Sequence, residues 1–188
     1  MEMTKHALIE DAALWQAMKA FNRIPSIQEI QPLIAEAAEI KKRLVKADEF
    51  EYGRRRTLNF GHTVAHALES VAAARGEALP HGTAVGIGMM FSLQWSASQS
   101  PDATIANELL DAAQCIHGWL TASAAEQVQT ATKGADMKFL WSFMEKDKKN
   151  DAQGVQEVRL TEIGRAEWSH PLTFDAFEAS WIKAVSSI

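Results

Sequence analysis

Three histidines stand close together in this chain: His62, His66 and His81. The first two are four residues apart, so on a helix they share one face. His81 opens the next apolar stretch, after a loop, and an antiparallel helix pair would carry it back toward that face. Imidazole is a good ligand for Zn²⁺, and three protein ligands with one open position make the pattern of a catalytic zinc site. The same spacing also suits a plain pair of capping or hydrogen-bonded histidines. Basic residues gather nearby. Lys41, Lys42, Arg43 and Lys46 precede a connector, and Arg54, Arg55 and Arg56 precede the histidines. In an acidic chain this local excess fits recognition of a phosphate or carboxylate. Its alternative is a solvated face with cations at a helix C-terminus, where the macrodipole favours them. Lys146, Lys148 and Lys149 form a second basic group, for which a solvated loop is the default.

Helices must position these groups. Leu8, Leu14, Trp15, Met18 and Phe21 have helical spacing, which predicts one helix from Met3 to about Phe21, ended by Pro25. Ser26 is an N-cap for a second amphipathic helix through Ile27, Ile30, Leu33, Ile34, Ala37, Ile40 and Leu44, with Pro32 near its start. A charged connector, residues 48–56, leads to a third helix starting near Leu58 to Gly61 and closing at Arg75-Gly76. His81 to Trp95 is apolar all round, which predicts a buried central helix. Its Gly82, Gly86 and Gly88 suggest close approach by another backbone or a ligand. Helices are expected at about 103–120, 122–132, 137–146 and 174–185. Alternation at Val155, Val158, Leu160 and Ile163 predicts a short strand or hairpin. The fold class is therefore mostly α.

Composition narrows the function classes. The 188 residues are 47% hydrophobic and 23% charged, ordinary for a globular domain and unlike a disordered or collagenous chain. A formal charge of −5 argues against a general nucleic-acid binder. Cys115 is the single cysteine, which excludes an intrachain disulfide and a zinc ribbon and favours a reducing, cytoplasmic location. No run reaches the roughly 18 apolar residues of a membrane span. Glu2, Lys5, His6, Glu10 and Asp11 stand where a signal peptide would need an apolar core.

The run from Arg55 to Glu69, RRTLNFGHTVAHALE, closely resembles the 3-dehydroquinate synthase signature R-x-x-L-N-x-G-H-T-x-G-H-A-x-E. Flanking segments extend the likeness. Ile40-Lys41, then Asp48-Glu49 with Glu51 and Gly53, resemble that family's I-K and D-E-x-E-x-G. Leu79 to Val85 resembles L-x-H-G-E-A-V. Asp147 to Asn150, Gly154 and Ile163-Gly164 resemble its D-K-K…G…I-G, and Met1 to Ile9 resembles A-E-x-x-K-x-x-L-I. Ala65 stands for a usual glycine. Thr83 stands for a usual glutamate, removing a carboxylate beside His81 that could support it as a ligand.

The resemblance implies a metal, Zn²⁺ or Co²⁺, on Glu2, His62 and His81. It makes His66 a substrate-contacting catalytic histidine rather than a ligand, and Lys5 a second catalytic residue. It implies that Lys41, Arg55, Asn59 and one of Lys148 and Lys149 hold a phosphorylated sugar acid. The family is a lyase of the shikimate pathway to aromatic amino acids. It converts the seven-carbon sugar acid phosphate DAHP to 3-dehydroquinate, with transient oxidation by NAD. The likeness covers that enzyme's C-terminal half, so residues 1–188 are expected to be a single helical domain. No G-x-G-x-x-G follows a strand here, so the NAD-binding half is expected to be absent from this sequence and the chain inactive alone. An NAD-binding domain or subunit is then an expected partner, and the apolar area it would cover is expected to drive self-association. The other readings are half of a different sugar phosphate cyclase, and a non-catalytic interaction module built on the same fold.

Overall fold

The computed structural model describes residues 1–21, 25–132, 136–147 and 154–186. The expected first helix is two: α1, Glu2–Glu10, and α2, Ala12–Lys19. Asp11 divides them. Its backbone is extended, at φ −150°, and its carboxylate accepts the Leu14 N–H at 3.0 Å, so a local N-cap overrides the apolar periodicity. The second amphipathic helix is α3, Ile27–Ala47, which keeps Pro32 inside it. Ser26 and Glu29 close a capping box at its start, and Ala37, Ile40 and Leu44 form its buried face.

The connector is ordered by Asp48, whose carboxylate accepts the backbone N–H groups of Tyr52, Gly53 and Arg55. These hydrogen bonds hold the carboxyl below its usual value, against the opposing effect of desolvation. A 3₁₀ turn, Arg54–Asn59, follows where the third helix was expected to begin. The chain then reverses through Gly61 at φ 76°, a left-handed conformation that favours glycine, and α4 runs from His62 to Ala74. The following helices are α5, His81–Gln99, and α6, Ala103–Thr132. The two helices expected here, about 103–120 and 122–132, meet within α6 at the non-helical Ala124. After α7, Met137–Met144, strands β1, Gln156–Glu162, and β2, Arg165–Pro171, form an antiparallel hairpin. Thr173 caps the closing helix α8, Phe174–Val185.

The expectation for α5 holds. It is buried from Thr83 to Leu93 and packs against α4, α6, α8 and β1. Two of its three glycines explain that packing. A Cβ at Gly88 would overlap the Gly61 carbonyl oxygen, and one at Gly86 would lie 2.8 Å from Leu120. Gly82 faces open space, so its expected close approach is absent. Among the described residues no helix is long and apolar enough to cross a membrane.

One charged group is sunk in this core. Glu157 of β1 is 1% exposed, and its Oε1 accepts the Ser92 hydroxyl of α5 at 2.8 Å. Burial pushes its carboxyl up to about 7 from 4.5, against the opposing Ser92 and Thr63 hydroxyls. The folded chain therefore retains a proton that the unfolded chain has released. That stabilisation is complete below pH 4.5 and is lost as pH rises through about 7. His6 runs the other way. Burial lowers its pKa from 6.5 to about 4, so its contribution is present above pH 6.5 and lost as pH falls through 4. The stability difference between wild type and Glu157→Gln separates the two. Between about pH 5 and pH 8 it should move on the order of 2 kcal/mol in favour of the variant. Urea unfolding at several pH values reads it, and a constant difference would contradict the assignment.

Candidate metal centre

Three helix starts meet at one point. Glu2 is the first residue of α1, His62 of α4 and His81 of α5. Glu2 Oε1 lies 3.3 Å from His62 Nε2 and 3.5 Å from His81 Nε2. One ligand atom from each residue lies within 4.8 Å of the others, and no other such group occurs among the described residues. The opposite ring nitrogens are already engaged. His62 Nδ1 faces the Phe60 carbonyl at 3.2 Å, and His81 Nδ1 faces Glu69 Oε1 at 2.9 Å. Both partners are acceptors, which favours the tautomer with the proton on each Nδ1 and a lone pair on each Nε2. Glu2 Oε1 is buried and lacks a well-formed hydrogen bond. One donor atom from a carboxylate and one from each of two imidazoles, converging in this way, suit a divalent cation with nitrogen and oxygen ligands once any proton shared between them has left.

The ionisation states agree with that fit. The His62 hydrogen bond, followed by Lys5, holds the Glu2 carboxyl well below the carboxylate range, although burial opposes it. Burial lowers the His62 pKa, against the raising effect of Glu2, and so disfavours the charged imidazolium. Metal binding needs an ionised carboxylate and neutral imidazoles. Lys5 is itself 3% exposed and meets Glu2 Oε2 at 2.7 Å, which leaves Oε1 to face the histidines.

The centre forms one wall of a cleft of about 300 Å³ lined by Glu2, Lys5, Lys41, Glu51, Arg55, Leu58, Asn59, His62 and His81. The structure thus brings together Lys5, Lys41, Arg55 and Asn59 from α1, α3 and the 3₁₀ turn. Glu51 sets two of them: its carboxylate accepts Asn59 Nδ2 at 3.0 Å and lies 3.8 Å from Arg55 Nε. Arg55 also donates to the Glu49 carbonyl at 2.7 Å. His66 stands outside the ligand group. Its ring centre is 5.5 Å from that of His62, nearly perpendicular to it, and its Nδ1 lies 3.3 Å from Asp147 Oδ2. Lys148 and Lys149 lie outside the described residues.

Sequence reasoning missed Glu69 and Asp147. Glu69 supplies the carboxylate behind His81 that the glutamate-to-threonine change at 83 was expected to remove. A signal existed: Glu69 closes the motif run seven residues after His62, two helical turns along the same face. Asp147 opens the D-K-K stretch, but nothing local ties it to His66, 81 positions away. Outer partners of this kind fix ring orientation and tautomer, and their loss costs about 10–100-fold in metal affinity. Glu69→Ala should lose zinc affinity by about that factor in competition with a chelating dye. A loss below about threefold would show that Glu69 does not support His81.

Buried lysine, paired carboxylate and clustered imidazoles define a helical domain whose three helix starts could hold a cation beside a cleft lined by Lys5, Lys41 and Arg55. Solved structures share its fold. The 2-epi-5-epi-valiolone synthase of Streptomyces hygroscopicus subsp. jinggangensis 5008, with NAD⁺ and Zn²⁺ bound, superposes with a TM-score of 0.73 at 18% identity, over 100% of this chain and 50% of that one. A 2-deoxy-scyllo-inosose synthase complexed with carbaglucose-6-phosphate, NAD⁺ and Co²⁺ gives a TM-score of 0.68 at 18% identity, over 97% of this chain and 50% of that one. The chain belongs to the 3-dehydroquinate synthase C-terminal family, whose model matches residues 1–150. It is 34% identical to the 3-dehydroquinate synthase of Salinibacter ruber, over 99% of this chain and 48% of that protein. It is 32% identical to that of Streptococcus equi subsp. equi, over 100% of this chain and 49% of that protein. The chain thus spans about half the length of the curated relatives it matches.

Proposed function

We propose that this domain holds a divalent cation, Zn²⁺ or Co²⁺, on Glu2, His62 and His81 and grips DAHP beside it, as one half of a 3-dehydroquinate synthase whose other half binds NAD. One observation carries the reading: three electron-pair donors lie within 4.8 Å of each other in the wall of a cleft that also presents Lys5, Lys41 and Arg55. A bound cation would acidify and orient a substrate hydroxyl. The chain's own groups do the rest. The Arg55 guanidinium offers a planar fork for a carboxylate or phosphate, and Lys41 offers a mobile charge at the rim. Asn59, oriented by Glu51, pairs a hydroxyl. Lys5, with its ammonium fixed on Glu2, places a positive charge where negative charge develops. His66 presents Nδ1 to Asp147, so Nε2 is the atom that holds or passes a proton at the departing phosphate. From the family pattern, Lys148 or Lys149 contacts the substrate.

The relatives at 32–34% identity all carry the 3-dehydroquinate synthase name, whereas the other cyclases share 15–18%. That difference supports DAHP over another sugar phosphate. The same reading assigns the chain to the shikimate pathway in the cytoplasm, with an NAD-binding partner and self-association through apolar surface. Calorimetry tests the central claim. DAHP should bind the zinc-loaded chain and lose about tenfold or more in affinity when zinc is chelated or in Arg55→Ala. Equal binding with and without zinc would sink it.

A further inference from the structure

A second cleft, of about 280 Å³, lies beside the first and shares Glu51 and Asn59 with it. It opens between the hairpin and the start of α4. Glu157 lies in its lining, with Oε2 buried and lacking a well-formed hydrogen bond. Trp168, 37% exposed, and Ser169 form the β2 side, and Arg56 stands opposite. The backbone is specialised here. Glu51 and Ser169 are the two non-glycine residues with positive φ among the described residues, at 59° and 64°, and both line this cleft. The hairpin register slips between Glu157 and Arg159. Trp168 and Ser169 therefore occupy an extra position on β2, a bulge of the kind that redirects side chains near sites. Strain of this sort persists where the surrounding structure enforces it, and it clusters at ligand sites.

We infer that this cleft is a second ligand site and that it takes a neutral, polyhydroxylated ring. Charge separates it from its neighbour. The metal cleft presents Lys5, Lys41 and Arg55, whereas this one sets Arg56 against Glu51, Glu157 and Asp147, the last engaged by His66, a balance that does not favour an anion. A metal does not fit, because the carboxylates here form no ligand cluster among the described residues. A hydroxyl does fit Glu157. It can donate to a carboxylate or accept from a carboxylic acid, so it satisfies Oε2 in either protonation state. The indole offers a flat apolar face for the C–H side of a ring, and Asn59 and Arg56 offer polar partners at its edge. The volume admits a single ring rather than a nucleotide.

The cleft borders the one proposed to hold DAHP through Glu51 and Asn59, and its test needs neither metal nor turnover. The probe is myo-inositol, titrated into the metal-free chain while the Trp168 indole N–H resonance is followed by NMR, assigned by its loss in Trp168→Phe. The expected result is a saturable shift with a Kd on the order of 1 mM. Glu157→Val should weaken it by about tenfold or more, and so should Trp168→Ala, which lacks the reporter and is read instead by saturation transfer to the myo-inositol protons. Inorganic phosphate should leave the resonance in place. The absence of saturation at roughly a hundredfold higher concentration would overturn the inference. So would a shift that phosphate reproduces, or an affinity unchanged in Trp168→Ala. Should Glu157→Val fail to fold, Trp168→Ala carries the test from a partly exposed position.

Discussion

The wild-type chain should bind one zinc or cobalt ion, and His62→Ala should lose it, with affinity falling by more than about a hundredfold. The magnitude follows from what is removed. Glu2 and His81 alone leave two protein ligands, fewer than either structural or catalytic zinc sites employ. The substitution also takes away the partner that most lowers the Glu2 carboxyl, so the remaining ligand becomes easier to protonate. The fold should survive, since His62 is the first residue of α4 and alanine suits a helix. Metal content after dialysis, with circular dichroism as the folding control, measures the effect. His66→Ala supplies the contrast. His66 shares the His62 helix face but pairs with Asp147, so its removal should leave zinc affinity within about threefold. Loss of metal in His66→Ala equal to that in His62→Ala would refute the assignment of Glu2, His62 and His81.

Gly88→Ala should destabilise the chain by about 3–5 kcal/mol, at the upper end of single-substitution effects. In an exposed helix the same change would stabilise by roughly 1 kcal/mol. Here the sign reverses, because the new methyl would overlap the Gly61 carbonyl and lie 2.9 Å from its carbon and 3.3 Å from the Ala65 nitrogen. All three are backbone atoms, so no side-chain rotation relieves the clash. The Gly61 carbonyl also accepts the Ala65 N–H at the start of α4. Pushing it away would displace His62, and zinc affinity should fall together with stability. Gly82→Ala is the internal control: its Cβ meets nothing within 4 Å, so stability should be unchanged or slightly raised. Urea unfolding of the two variants reads the difference, and equal midpoints would contradict the packing of α5 on α4.

Apolar spacing along the chain was enough to place α3, α5 and α8 and to show that α5, apolar on every side, is the central helix. The motif residues were enough to pick out Glu2, His62 and His81, which the structure brings within 4.8 Å of one another, where histidine spacing alone points to His62, His66 and His81. Local pattern failed at Asp11, where a side-chain cap stops a helix whose apolar period runs on. It failed again among the glycines of α5, because whether a Cβ has room depends on what packs opposite: Leu120 at Gly86, the Gly61 carbonyl at Gly88 and nothing at Gly82. The supporting carboxylates were also a tertiary decision. A histidine's sequence position says that a ring is present. Which nitrogen carries its proton depends on the acceptor that packing places behind it, and only the assembled helices put Glu69 behind His81 and Asp147 behind His66. Periodicity is a property of one element and its solvent face, whereas ligand geometry arises where the starts of α1, α4 and α5 converge.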